Sequence, residues 1–431
     1  MSSFVIRGGR VIDPANGTDA AMDLAIEDGV IVAEAGAGAE VVDAKDLIVA
    51  PGFVDLHTHL REPGREDEET IASASEAAIT GGFTTIHAMP NTDPVADSSS
   101  VVEKVWAMGR EVGLVDVRVA GALSRGLEGR EMADIGEMAR SLARVVMFTD
   151  DGKGVQDSLF VRRVMEYLVT FDAIYAEHCE DAALASDGQM NEGSMSESLG
   201  LSGVPAEAEE LMAARDIALA RLTGCRLHLL HVSTKGAVDL IRRAKADGLR
   251  VTAEATPHHF SLTDEALSSY DPLLKVNPPL RTEVDRAAII DGLKDGTIDA
   301  IATDHAPHAD HEKDQEFSFA PPGMVGLETA LALTITELVD RDHISLYRAV
   351  ELLSTAPGRI LGSGGSLSPG SRADVVVFDP SETWTVDRHA LHSKSRNTPF
   401  HGRTLSGRVR SVFSAGRPVL VEGKLAERIP A

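Results

Sequence analysis

Histidine and aspartate recur at the ends of short apolar runs in this 431-residue chain, and its chemistry is concentrated there. His57 and His59 stand two apart in DLHTHLREPG (55–64). The two-residue period of a strand puts both rings on one face, where two imidazoles converge on one metal ion. An HxH pair alone is weak, since surface and core histidines also fall into it; its place at the tip of an apolar run, ahead of REPG, strengthens it. His178 and His231 end two further runs, and imidazole from separate strand tips is the ligand set expected of zinc. The bland alternative is core histidines satisfied by hydrogen bonds, but four such rings at one barrel face would be costly to bury without a shared purpose. A site with so many ligands can hold two ions bridged by an anion. FTDDGKG (148–154) offers Asp150 and Asp151, and ATDHAPH (302–308) offers Asp304. Each carboxylate has the alternative of capping a helix or a turn, and that alternative is the reading for Asp150.

These side chains need a scaffold that brings strand ends together. Eight apolar runs of strand length, at 54–59, 84–89, 115–120, 145–149, 173–178, 226–231, 250–255 and 299–303, alternate with helical patterns such as 66–80, 206–222 and 235–246. Eight strands with crossovers predict an α/β fold, a (β/α)₈ TIM-like barrel. Active sites of such barrels sit at the C-terminal strand ends. His57, His59, Asn91, Asp150, Asp151, His178, His231, His258, His259, Asp304, His305 and His308 all fall there, and eight of the fifteen histidines are among them. One site is the reading.

The first fifty residues have a different texture: strand-like stretches at 4–12, 23–34 with an Asp28-Gly29 hairpin turn, and 41–49. It returns at 373–378 and 409–421, so the two ends are expected to build one small β-sandwich domain, residues 1–51 and 363–431, around a catalytic barrel at 52–362. With 43% hydrophobic and 25% charged residues the chain is an ordinary globular one. Its formal charge of −26 disfavours a nucleic-acid or anionic-membrane partner. Two cysteines, Cys179 and Cys225, are too few for a disulfide framework and fit a reducing compartment. No signal-like or membrane-length apolar segment is seen, so a cytoplasmic location is expected.

The residues then match a known family. PGFVDLHTHLREPG, GGFTTIHAMPNTDP, FTDDGKGVQ, AEHCED, HLLHVSTK, VTAEATPHH, VNPPLR, DGTIDAIATDHAPH and GMVGLE occur in family order, and the chain resembles dihydroorotase of the amidohydrolase superfamily, nearest the bacterial stand-alone type, almost end to end. The resemblance implies two Zn²⁺ per chain, with His57, His59 and Asp304 on one, His178 and His231 on the other, and Asp151 bridging. Many superfamily members bridge with a carboxylated lysine; Lys153 is the alternative here. It also implies that Arg61 and Asn91 hold a substrate carboxylate, with His59, Asn277, His308 and the backbone at Pro322-Gly323 completing the pocket. Pro322 stands where the family often has an aromatic residue.

The implied reaction is reversible ring closure of N-carbamoyl-L-aspartate to L-dihydroorotate with loss of water, a step in pyrimidine synthesis. Asp304 would be the catalytic proton carrier, and the two metals would supply the electrophile and lower the pKa of water. Arg61 would present a bidentate fork to a carboxylate. The nearest rival is another cyclic-amide hydrolase, a hydantoinase, dihydropyrimidinase or allantoinase. A different class is a non-catalytic dihydroorotase-like subunit of aspartate transcarbamoylase. A homodimer, and association with that transcarbamoylase, are expected only by analogy. Residues 309–319 read either as a lid over the site or as a solvated connection. Cys179 reads as packed; His258 and His259 read as supports of the site or as core.

Overall fold

A computed structural model describes residues 3–426; Met1, Ser2 and 427–431, at the outer ends of the expected sandwich domain, lie outside the described residues. Its centre is a ring of eight parallel strands, β1 (Phe53–Thr58), β2 (Phe83–Ala88), β3 (Asp116–Val119), β4 (Met147–Phe148), β5 (Ile174–Glu177), β6 (Arg226–Leu229), β7 (Val251–Ala255) and β8 (Ala300–Ile301). Strands β1 to β3 pair in one ladder and β4 to β8 in another. Parallel bridges Gly121–Phe148 and Thr58–His305 join the two ladders and close the barrel. All eight expected runs are strands; β1 and β2 keep the expected length but begin and end one residue earlier, and the other six are shorter than their apolar runs. The trimmed ends matter: His59, His178 and His231 stand just past the last paired residue, where the chain turns across the barrel mouth.

Helices pack outside the ring, and their starts follow capping chemistry. Residues 235–246 form a helix as expected, with Thr234 accepting from Ala237 N at 3.2 Å. The expected helix at 66–80 begins only at Ile71. Thr70 and Ser73 form a capping box there, and the preceding charged residues run through a loop after Pro63-Gly64. That loop carries side chains to the site.

The chain ends share one mixed sheet of nine strands. Ser3–Asp13 pairs with Thr18–Glu27 and with Ile48–Pro51, which in turn pairs antiparallel with Val375–Thr385. The run at 409–421 is two strands, Thr404–Ser414 and Arg417–Val421, turning at Ala415-Gly416. The Asp28-Gly29 hairpin turn is present, both residues having positive φ. Phe4 and Phe413 lie on strands three places apart, roughly 14 Å in a flat sheet, yet their ring centroids are 5.3 Å apart. The sheet therefore folds over an apolar core of its own, including Ile6, Ile26, Val375 and Phe413. No helix among the described residues is long and apolar enough to cross a membrane.

Sheet and barrel meet at Gly52, the single residue between Ile48–Pro51 and β1. A Cβ there would sit 2.2 Å from the Thr84 side chain on β2, so only glycine lets β1 lie against β2 in register with the sheet. Gly52→Ala is expected to lower stability by about 1–3 kcal/mol through overpacking, read as an earlier urea-unfolding midpoint; an unchanged midpoint would remove this contact as a constraint.

Candidate active site

Five strand ends deliver the buried centre. On β1, His57 donates from Nδ1 to Glu254 Oε1 at 2.8 Å, and Nε2 is left 3.4 Å from both Asp151 Oδ2 and Asp304 Oδ1. One residue past β1, His59 donates from Nδ1 to Asn91 Oδ1 at 3.0 Å, and its Nε2 stands 3.0 Å from Asp304 Oδ1 and 3.5 Å from Asp151 Oδ2. On the other side His178 Nδ1 and His231 Nε2 lie 2.8 Å apart, at 3.8 and 3.6 Å from Asp151 Oδ1. The two oxygens of Asp151 thus face different pairs of histidines. His57, His59 and Asp151 form one cluster able to hold a metal ion, and Asp151, His178 and His231 form another.

With both Nδ1 protons spent on Glu254 and Asn91, the Nε2 atoms of His57 and His59 present lone pairs to carboxylate oxygens. His57 Nε2, Asp151 Oδ1 and His231 Nδ1 are buried with no hydrogen-bond partner. Acceptors converging on acceptors need positive charge between them, and a cation is what this donor set fits. The titration behaviour shows the same demand for positive charge, met by a proton on the ring where no cation supplies it. Burial pushes the His57 imidazole down, but Asp151 and Asp304 outweigh it and hold it well above the usual range. Burial likewise pushes Asp151 and Asp304 up, and the surrounding imidazoles hold both below the carboxylate range. Glu254, 0% exposed, is kept ionised at about 2 against its burial by His228 and His57.

Three residues of the site, Arg61, His231 and Asp304, have φ of 60°, 29° and 47°. Each is a left-handed conformation costing about 1–3 kcal/mol for a residue with a side chain. The fold bears this strain where it turns these side chains inward.

Above the centre is a cavity of about 200 Å³. His59, Arg61, Asn91, Asp151, His178, His231, Asn277, Asp304, His308, Pro322 and Gly323 all line it, and His57 lies fully buried beneath. Arg61 Nε donates to the Pro307 carbonyl at 3.1 Å, with Glu68 Oε2 2.9 Å from the same nitrogen. Asn277 Nδ2 is 3.5 Å from His178 Nε2. Asp150 serves the turn, as read: its Oδ1 accepts from Leu123 N and Ser124 N at 2.8 and 3.0 Å. Lys153 is exposed, in contrast to buried Asp151. His259 hydrogen-bonds Thr256 and the Pro278 carbonyl, and Cys179 is packed in the core. Residues 309–319 are mostly exposed, with Lys313 and Phe317 buried and Glu312 paired with Arg65 at 2.6 Å.

Sequence reasoning did not single out Glu254, Glu68 or Asn397. For Glu254 a signal exists, a lone carboxylate inside the apolar run VTAEA. Glu68 is hidden in a charged stretch, and Asn397 in a loop of the terminal sheet.

Comparison with known proteins agrees with this geometry. A family model described as dihydro-orotase-like matches residues 46–237. The chain is 50% identical to the dihydroorotase of Pelotomaculum thermopropionicum, covering 97% of this chain and 98% of that one. It is 46% identical to the dihydroorotase of Streptomyces coelicolor, over 99% and 100%. Among solved structures, the L-hydantoinase (dihydropyrimidinase) of Arthrobacter aurescens superposes with a TM-score of 0.88 at 24% identity over 99% and 98% of the chains, a likeness of fold alone. The D-hydantoinase (dihydropyrimidinase) of a Thermus species gives 0.83 at 26% identity over 98% and 96%. The barrel with its terminal β-sandwich is the architecture these hydrolases share. Near-complete identity-bearing alignment with named dihydroorotases, over a chain whose strand ends converge on two histidine and aspartate clusters, establishes that this chain belongs to the dihydroorotase family of hydrolytic enzymes.

Proposed function

We propose that this chain interconverts N-carbamoyl-L-aspartate and L-dihydroorotate. The observation that carries the reading is Asp151 shared between two metal-capable clusters beneath a cavity that Arg61 lines. We assign His57, His59 and Asp304 to one Zn²⁺ and His178 and His231 to the other, with Asp151 bridging. Divalent cations held there would polarise the ring carbonyl and bring water within reach of ionisation near neutral pH.

The protein's own groups do the rest. Glu254 and Asn91 fix the His57 and His59 rings by accepting hydrogen bonds from their Nδ1–H groups, so that Nε2 is the free nitrogen on each. In the hydrolytic direction water oxygen bonds to the ring carbonyl carbon and the carbon–nitrogen bond breaks. Asp304, held ionised by its imidazole neighbours, takes the water's proton and delivers it to the leaving nitrogen. Ring closure runs the same transfers backwards. Arg61 offers its fork to the substrate carboxylate; Asn91, Asn277, His308 and the Pro322-Gly323 backbone complete the pocket. The barrel at 52–362 would be the catalytic unit and 1–51 with 363–431 the sandwich, in a cytoplasmic enzyme acting on a small molecule, as a homodimer.

The reading is tested by assaying the zinc-loaded protein on dihydroorotate beside hydantoin, dihydrouracil and allantoin, with metal measured on the same sample. Selective dihydroorotate turnover with about two metals per chain is expected; hydantoin turnover in its place would transfer the chain to the rival substrate class. Asp304→Asn should keep the fold, by circular dichroism, and lose about 10²–10⁴-fold in kcat. Near-normal turnover would remove Asp304 from proton transfer. Arg61→Lys should raise KM roughly ten- to hundredfold, the worth of a charged hydrogen bond, with metal content unchanged; an unaltered KM would refute the carboxylate clamp.

A further inference from the structure

Two backbone segments of the cavity wall, 306–308 and 321–323, lie beyond the end of β8 and belong to no barrel strand. What holds them comes from elsewhere. Asn397, 2% exposed, sits in the connection between Val375–Thr385 and Thr404–Ser414 of the terminal sheet. Its Nδ2 donates to the Ala306 carbonyl at 2.9 Å and to the Gly323 carbonyl at 3.2 Å. Its Oδ1 accepts from His308 N at 3.2 Å, and its own carbonyl accepts from Val325 N at 3.2 Å. One amide therefore ties both segments together, spending both its donors and one oxygen lone pair on them.

Lys313, buried within the 309–319 connection, meets the same wall from another direction. Its Nζ donates to the carbonyls of Pro321 at 2.8 Å and Gly323 at 3.0 Å, with that of Lys275 at 3.5 Å. The Gly323 carbonyl thus receives a side-chain hydrogen bond from each. Gly323 in turn sets the His308 ring: with φ at 135°, an added Cβ would lie 2.9 Å from His308 Nε2, so the imidazole rests directly on the glycine. His308 Nε2 is also 2.9 Å from the Pro322 carbonyl.

We propose that Asn397 and Lys313 are positioning residues that act together through the Gly323 carbonyl to fix the wall carrying His308 and Gly323 toward substrate. This rests on the dihydroorotase reading of the pocket and deepens it. The two side chains touch no reacting atom, and neither contacts His57, His59, Asp151, His178, His231 or Asp304; Asn397 meets His308 only at its backbone N–H. Their loss leaves buried carbonyls unpaired and frees a wall whose misplacement by an ångström is costly to binding.

Steady-state kinetics, metal content and amide hydrogen exchange on Asn397→Ala, Asn397→Asp, Lys313→Met and the Asn397→Ala/Lys313→Met double variant test the proposal. Asn397→Asp keeps the acceptor for His308 N–H and loses both donors, so it serves even where the alanine variant folds poorly. Each single variant should raise KM for dihydroorotate about tenfold with kcat within about threefold and metal unchanged. Because both act on one carbonyl, the double variant should raise KM by less than the product of the singles. Exchange at 306–308 and 321–325 should quicken relative to the barrel strands in each. Lowered thermal stability with KM and local exchange unchanged would overturn the proposal, as would strictly multiplicative effects. A wild-type chain that fails to turn over dihydroorotate would defeat the substrate reading, while the exchange data would still decide the positioning claim.

Discussion

Asp151 is buried between two pairs of imidazoles, with one oxygen toward each pair, and most of the architecture can be read as a consequence of keeping it there. A carboxylate removed from water is tolerated only beside compensating positive charge and with its neighbours fixed. The neighbours arrive from β1, β5, β6 and the end of β8, strands that are distant in sequence and meet only when the ring closes. Closure is what the Gly121–Phe148 and Thr58–His305 bridges accomplish. Asp55 reinforces it from behind, accepting from His57 N at 3.1 Å and from Thr303 N and Oγ1 at 3.0 and 2.6 Å, and so bolting the first strand to the last.

The barrel and the residues of its centre were legible because strand periodicity and strand-tip position are local properties. Buried parallel strands are continuous apolar runs, and polar residues that interrupt such runs at their ends stand out. His57, His59, His178, His231 and Asp304 could be found this way, and the structure brings them together. The start of the helix at Ile71 was misjudged by five residues, since apolar spacing does not reveal which of several polar residues will cap.

The supporting groups were not legible for a different reason. Glu254 reaches His57 across 197 residues, and Asn397 reaches Ala306 across 91. A carboxylate or amide that matters through a partner so far away carries no local pattern. Backbone strain is hidden in the same way. Arg61, His231 and Asp304 sit where glycine or asparagine would be chosen on conformational grounds alone, and their presence there reflects the work of the side chain rather than the comfort of the backbone. Sequence rules fail at such positions because chemistry has overruled propensity.

The contribution of the terminal sheet has a consequence for how the enzyme is made. Ser393 donates to Glu69, 324 residues earlier, and Asn397 braces a wall whose own residues precede it by many dozens. Synthesis proceeds from the amino terminus, and early segments collapse as they emerge. The strands that carry His57 through Asp304 are available to the nascent chain well before residues 393–397 leave the ribosome. The terminal sheet's brace on the cavity wall is thus synthesised after every residue of that wall and of the metal-capable clusters.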